Sequence, residues 1–166
     1  DYTPGAMLSM QPECYSSRRP NSASIGTRAY QLALYVVFES NLQMMSDNPT
    51  LYNMYPDCRD YIAGCPVNWD ETRVLAAEFG QYTVVARRKG SKWYIGGITN
   101  ETARDITVKL DFLTEGKSYR TTSFTDAVNS AKQAMDYRKK EGQTKKGDAL
   151  SIHMVRNGGF AAVLEP

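Results

Sequence analysis

The sequence predicts a mostly β protein, an antiparallel β-sandwich domain preceded by a helical segment. Two patterns carry this prediction. After Trp69, apolar and polar residues alternate in short runs separated by turns at intervals of roughly ten residues, which is typical of sandwiches. Before Pro66, apolar residues recur at helical spacing instead. The sequence therefore predicts two unequal pieces, a helical one over 1–66 and a β-sandwich over 67–166.

The first residues, "DYTPGAMLSM", indicate a strand end running into a turn. Proline has no N–H for a β-ladder, and glycine adopts the backbone angles that a turn needs. A strand end with no strand before it predicts a chain cut from a longer one. The next stretch, 11–26, is rich in Ser, Pro, Asn and Arg and is predicted to be a loop.

A helix is predicted from Thr27, a good N-cap, to Asp47, which precedes Asn48-Pro49. Its apolar residues cover more than one stripe: Ala29, Leu32, Ala33, Leu34, Tyr35, Val36, Val37 and Phe38. A helix that is apolar nearly all round is buried on several sides. Because the first piece offers little to surround it, we expect an exposed apolar patch around Leu32, Val36 and Leu42.

A second, shorter helix is predicted over 53–63, with Tyr55, Cys58, Tyr61 and Ile62 facing inward. Strands are then predicted within "QYTVVARRKG", "SKWYIGGITN", "RDITVKLDFL", "YRTTSFTDA", "ALSIHMV" and "FAAVLEP". The first two should form a hairpin through Lys89-Gly90-Ser91. The basic, polar stretch 129–147 is expected to be weakly structured.

Composition excludes several classes of function. The net charge of +2 offers no footprint for nucleic acid, and the longest apolar stretch, 29–38, is too short to cross a bilayer. Cys58 and Cys65 are seven residues apart, unlike a zinc ribbon or a CxxC pair, and His153 is the only histidine. No catalytic residue, metal ligand or cofactor is therefore assigned within this chain.

Few residues are candidates for chemistry. Asp1 is the clearest, because parallel barrels place catalytic groups at the carboxyl ends of strands, and we predict it as a substrate-binding residue, with a solvated or loop-bracing carboxylate as the alternative. Asp70 and Glu71 beside Trp69 could hold a sugar, although neighbours in a strand point apart and an inter-domain turn is favoured. Trp93-Tyr94 could form an aromatic binding face, with a packing role favoured.

Two further groups are given structural interpretations. The basic run that includes Arg138-Lys139-Lys140 and Lys145-Lys146 has acidic residues interleaved, so a solvated face is favoured. His153 lies in an alternating strand, we expect no acidic or cysteine partner near it, and we interpret it as structural.

Several segments together resemble the carboxyl-terminal part of glycoside hydrolase family 97, the α-glucosidases and α-galactosidases of Bacteroidetes. They are "DYTPGAM", "GTRAYQLALYVVFESNLQMMSDNP", "YPDCRDYIAGCPVNWDETRVL", "YTVVARRKGSKWYIGGITNETARDITVKLDFL" and "GGFAAVL". The resemblance keeps segment order over nearly the whole chain. The stretch 129–147 departs from the family's usual form.

This resemblance implies a parent with an amino-terminal supersandwich, a catalytic (β/α)₈ barrel and a small carboxyl-terminal sandwich. Residues 1–5 would then end the last barrel strand, 27–47 would be the last barrel helix, and the sandwich would begin at Val67. It also implies calcium in the full-length enzyme, held by glutamates on earlier strands, an oligosaccharide substrate, and a periplasmic or secreted location. The partners of this chain would be the rest of the barrel and the amino-terminal domain.

Three hypotheses follow. In the first, the chain is an α-glycosidase fragment, inactive alone, whose sandwich supports the barrel. In the second, it is a carbohydrate-binding module with Trp69, Trp93 or Tyr94 stacking on sugars, which burial of those rings would contradict. In the third, it is a structural or assembly domain without a ligand.

Overall fold

The computed structural model describes residues 2–18 and 23–166. Its helices and strands follow one another in this order: β1 (Ser9–Met10), β2 (Ser24–Ile25), α1 (Arg28–Val37), α2 (Pro49–Met54), α3 (Pro56–Gly64), β3 (Glu71–Glu78), β4 (Tyr82–Lys89), β5 (Lys92–Thr99), β6 (Arg104–Lys109), β7 (Ser118–Asp126), β8 (Tyr137–Lys145), β9 (Ala149–Met154) and β10 (Gly159–Glu165). A short 3-10 helix, Pro12–Cys14, lies between β1 and β2.

The predicted antiparallel sandwich is confirmed. Six strands form one antiparallel sheet in the order β3-β4-β5-β10-β7-β8, and β6 pairs with β9 in a second, two-stranded sheet. An apolar core lies between the two sheets, built by alternate residues of each strand. Its most buried members include Val84, Ile95, Val108, Leu110, Ile152, Met154 and Phe160. The other face of the large sheet carries α1.

The helix α1 begins where predicted but ends ten residues early. Thr27 caps it, since its Oγ1 accepts a 3.1 Å hydrogen bond from the Tyr30 amide. The helix ends because Phe38 is extended and Ser40 Oγ accepts from the Leu42 amide, a turn that competes with helix. The predicted end at Asp47 is therefore wrong.

Residues after the helix run beside the start of the chain instead. Tyr2 forms a parallel bridge with Gln43, and the amides of Met44 and Ser46 donate to the carbonyls of Tyr2 and Pro4 at 3.0 and 3.2 Å. These backbone bonds between distant segments replace those that a longer helix would have made.

The predicted helix over 53–63 is found as α3, with α2 directly before it. Pro49 and Pro56 each stand in a first helical turn, where a missing N–H costs nothing. Tyr55, which precedes Pro56, leaves the helical region and so separates the two helices. Cys58, Tyr61 and Ile62 are buried as expected.

The stretch 129–147 is not weakly structured, and that expectation is wrong. It contains β8, which pairs with β7 over nine residues, from Asp126↔Tyr137 to Ser118↔Lys145. Most side chains of β8 are exposed, so the strand lacks the alternating pattern that marks a half-buried strand. Charged residues are typical of such an edge strand, because they oppose pairing with another chain.

The expected exposed patch on α1 is also wrong. Leu32 and Val36 are completely buried, and of the three residues named only Leu42 is exposed. The helix lies between the large sheet and the segment 2–11, and these two surfaces cover opposite sides of it. Its nearly all-round apolar character is therefore satisfied within the described residues.

Candidate functional site

Long-range contacts join α1 to the large sheet at a junction that we call the helix–sheet junction. Its centre is Gly96 on β5. A Cβ added there would lie 2.8 Å from Val36 Cβ and 2.9 Å from the Ala33 carbonyl oxygen. Only glycine therefore lets the helix approach the sheet this closely.

The start of α1 is held by the turn before β10, which folds around a buried carboxylate at the end of β7. Asp126 Oδ2 accepts hydrogen bonds from the amides of Val155 and Gly159 at 2.9 and 3.2 Å. Burial raises the pKa of Asp126 to about 6, although the hydrogen bonds from these two amides oppose that shift. The Asn157 carbonyl of the same turn accepts a 2.9 Å hydrogen bond from the Thr27 amide at the helix cap.

The end of α1 is held by an arginine from β4. Arg87 is 6% exposed, and its Nη2 donates to the Val37 carbonyl at 3.3 Å. Its Nη1 donates to Glu39 Oε2 at 3.0 Å and to Thr72 Oγ1 at 3.2 Å. The guanidinium satisfies a helix-terminal carbonyl, as cations do at the carboxyl ends of helices.

The opposite side of α1 binds the segment 2–11. Gln31 Oε1 accepts from the amides of Gly5 and Ala6 at 3.0 and 3.3 Å. Tyr35 donates its hydroxyl proton to the Pro4 carbonyl at 3.0 Å. Arg28 Nη2 donates to the Met7 carbonyl at 2.6 Å. Side chains of α1 therefore hold the strand-like start of the chain.

The acidic pair predicted near Trp69 has a structural role. Asp70 accepts from the Gly90 amide at 2.7 Å and lies 3.3 Å from Lys89 Nζ. Glu71 pairs with Arg73 at 2.6 Å and with Arg88 of β4 at 3.2 Å. These partners lower the pKa of both carboxyls and hold them against the β3–β4 pair, which favours a structural role over sugar binding.

The aromatic binding face is contradicted by burial. Trp93 and Tyr94 are 4% and 5% exposed and lie on opposite faces of β5. Trp69 packs against Tyr94 with ring centroids 5.2 Å apart. No pair of these three rings offers a flat surface to a sugar, so the packing interpretation is correct.

The remaining candidates are placed as follows. Asp1 lies outside the described residues, and its role in substrate binding stays a prediction. His153 does have an acidic partner, because the β6–β9 register places Asp105 opposite it, with Nδ1 and Oδ1 2.6 Å apart. Both side chains are exposed, so this is a surface pair. Arg138 to Lys140 lie on the exposed edge strand β8.

Sequence reasoning missed Asp126, Arg87 and Gly96 as the residues that join helix and sheet. Within residues 2–18 and 23–166, no group of three or more His, Cys, Asp or Glu side chains could hold a metal ion. In the same part of the chain, no helix is both long and apolar enough to span a membrane.

The fold is an antiparallel sandwich with a helix packed on its large sheet, and its similarity to known proteins identifies the family. Residues 68–165 match the family described as "Glycosyl-hydrolase 97 C-terminal, oligomerisation". The chain belongs to this family and corresponds to the carboxyl-terminal part of a family 97 enzyme. The predicted resemblance is confirmed.

Two curated relatives extend the match to nearly the whole chain. A retaining α-galactosidase of Bacteroides thetaiotaomicron is 45% identical over 161 residues, which are 97% of this chain and 24% of that protein. A probable retaining α-galactosidase of Streptomyces bingchenggensis is 34% identical over 164 residues, 98% of this chain and 23% of that protein. The chain thus spans about a quarter of the length of these relatives.

Solved structures of related enzymes also match this chain. A family 97 enzyme from Pseudoalteromonas sp. strain K8, in complex with acarbose, matches with a TM-score of 0.80 and 33% identity. The match covers 84% of this chain and 22% of that chain. A β-arabinopyranosidase matches with a TM-score of 0.68 at 22% identity, which shows a shared fold alone.

Proposed function

We propose that this chain is the non-catalytic, carboxyl-terminal part of a retaining α-galactosidase, and that its sandwich supports the catalytic barrel. The observation that carries the supporting role is the helix–sheet junction. Arg87 holds the end of α1, the turn folded around Asp126 holds its start, and Gly96 allows close contact at its centre. If α1 is the last barrel helix, as the family resemblance implies, the sandwich fixes its position.

The α-galactosidase assignment is supported by the 45% identity to the Bacteroides thetaiotaomicron enzyme. An α-glucosidase is the alternative, because structures of the Pseudoalteromonas enzyme contain acarbose or panose, a glucose trisaccharide. Those structures share only 33% and 32% identity with this chain, so the galactosidase is preferred. Calcium in the longer protein and a periplasmic or secreted location are proposed on the resemblance alone.

The chain's own residues support a non-catalytic role. Retaining glycosidases need two carboxyl groups about 5 Å apart across the scissile bond. The adjacent carboxylates of Asp70 and Glu71 are instead bound to Gly90, Lys89 and arginines of the same sheet. The reacting carboxylates are therefore assigned to the longer protein.

Hydrolysis of chromogenic α-galactosides and α-glucosides, with and without calcium, tests this proposal. The 166-residue chain should show no turnover, and the longer protein should hydrolyse the α-galactoside faster. Turnover by the chain alone that survives repeated purification would overturn the non-catalytic role. A preference of the longer protein for α-glucosides would overturn the galactosidase assignment and favour the alternative.

A supporting role predicts that loosening the junction harms the longer protein. In that protein Arg87→Gln should lower the temperature at which activity is lost, because the last helix would lose its terminal partner. Val74→Thr, an exposed change on β3, serves as the matched control. Equal thermal inactivation of both variants would contradict the supporting role.

A further inference from the structure

Phe79 is the most exposed large apolar side chain of the described residues, and the fold holds it in that position. It lies in the three-residue loop 79–81 between β3 and β4, with no neighbour covering its ring. An aromatic side chain buries 150–250 Å² when covered, so complete exposure leaves about that much apolar surface in water. Such exposure is typical of a contact surface.

The loop that carries Phe79 is braced rather than free. The Gln81 amide donates to the Glu78 carbonyl at 3.0 Å, and Gly80 takes a positive φ of 71°. Asn100 Nδ2 donates to the Gly80 carbonyl at 3.1 Å, and Arg104 Nη2 donates to Gln81 Oε1 at 2.7 Å. A braced loop loses little conformational entropy when its tip is bound, which favours association.

An apolar groove lies directly beside this side chain. Its volume is about 440 Å³, and its lining includes Tyr30, Ala77, Tyr82 and Ile98, with Phe79 at one rim. A buried apolar cavity of about 150 Å³ already accommodates benzene, so this groove can admit a phenyl ring. A projecting ring and a recess for such a ring therefore stand next to each other.

A two-fold symmetric contact pairs one surface patch with the same patch of a second copy, so the patch must be complementary to itself. A patch that holds both a projecting ring and a recess for a ring can meet this condition. In such a contact the same patch serves both subunits, so Phe79 of each copy can enter the groove of the other. The family description names oligomerisation but no surface. We propose that the hairpin tip around Phe79 and its adjacent groove form a self-association surface whose partner is a second copy of this chain.

A second exposed apolar residue lies at the same end of the sheet. The register places the end of β3, the start of β4 and the end of β7 at the same end of the sheet, measured along the strands. Phe79 and Val128 each follow a strand that ends there. Val128 is 86% exposed. Strands β3 and β7 are four spacings apart, on the order of 20 Å, so both side chains fit one contact area.

The area that the contact would bury can be estimated from its aromatic side chains. Two aromatic rings supply about 300–500 Å² of the 1,200–2,000 Å² buried by a standard specific interface. The remainder would come from the sheet end, including Val128. We therefore expect concentration-dependent self-association of the 166-residue chain, with Phe79 contributing most of the binding energy, as buried aromatic anchors do.

Sedimentation equilibrium of the 166-residue chain and three variants tests the proposal. Phe79→Ser removes the projection and Ala77→Trp fills the groove, and each should raise the dimer dissociation constant about tenfold or more. Val74→Ser removes another exposed apolar side chain from β3 and should leave the dissociation constant unchanged. All three substitutions are at exposed positions, and thermal melting checks that each variant folds.

A wild-type chain that stays monomeric up to its solubility limit would overturn the proposal. So would a dimer that survives both Phe79→Ser and Ala77→Trp, or one that Val74→Ser weakens equally, because the contact would then lie elsewhere. None of these outcomes affects the hydrolysis test, since self-association and turnover are measured separately. Failure of this surface and failure of the glycosidase assignment are therefore distinguishable.

Discussion

The Asp126 carboxylate accepts a 2.9 Å hydrogen bond from the Val155 amide across 29 residues of sequence. The same oxygen accepts from Gly159, and an added Cβ on Gly158 would lie only 2.0 Å from it. The turn before β10 is therefore folded tightly around one buried acid. Because the Asn157 carbonyl of this turn accepts a 2.9 Å hydrogen bond from the Thr27 amide, the turn connects the sandwich to the start of α1.

The raised pKa of Asp126 predicts a particular pH dependence of stability. Between about pH 4 and pH 6 the folded chain holds a proton that the unfolded chain, with an aspartate pKa near 3.9, releases. The contribution of Asp126 to the free energy of unfolding therefore falls as the pH rises through this window. A shift to about 6 corresponds to about 3 kcal/mol.

The Asp126→Asn variant isolates this effect. Asparagine can still accept the two amide bonds but does not ionise. Relative to the variant, the wild type should lose about 2 kcal/mol between pH 4 and pH 7, as measured by urea unfolding at each pH. Asp111→Asn, an exposed change, is the control. A difference between wild type and Asp126→Asn that does not vary with pH would refute the prediction.

Close packing at Gly96 predicts that even a methyl group destabilises the fold. In Gly96→Ala the new Cβ would meet Val36 and the Ala33 carbonyl below 3.0 Å, so α1 must move away from the sheet. Overpacking of this kind costs about 1–3 kcal/mol in urea unfolding.

Gly142 on β8 supplies the matched control for Gly96. Nothing lies within 4 Å of a Cβ added there, so Gly142→Ala should change the free energy of unfolding by less than about 0.5 kcal/mol. Similar effects of the two substitutions would show that Gly96 is not required for helix packing.

Arg87 is expected to act through hydrogen bonds more than through its ion pair. Arg87→Gln removes a guanidinium that is 6% exposed and takes the donor from the partly buried Val37 carbonyl, which should cost about 1–3 kcal/mol. Glu39 is exposed, so Glu39→Gln should cost less than about 1 kcal/mol. Urea unfolding of both variants measures the difference, and equal losses would indicate that the ion pair dominates.

Burial of Trp93 predicts that sugars leave its fluorescence unchanged. Trp69→Phe makes Trp93 the remaining tryptophan of the sequence, so the emission reports on one ring. Galactose- and glucose-containing oligosaccharides should neither shift nor quench it, because the ring is 4% exposed and packs against Phe112. A saturable change would restore the carbohydrate-binding hypothesis.

The sequence alone determined the features that depend on near neighbours. Alternation identified β4, β5 and β6, and Thr27 marked the start of α1. These signals act within a few residues, through backbone angles and the period of side chains, so they can be read from one stretch of chain. The family resemblance also rested on such stretches.

Only the tertiary structure decided the features that join distant segments. The end of α1 depends on pairing between Tyr2 and Gln43, and β8 exists because β7 offers it a partner. Arg87, Gly96 and Asp126 matter because of contacts at separations of 29 to 63 residues. A single sequence carries no local signal of such contacts, since their energy arises only when burial and pairing bring the segments together.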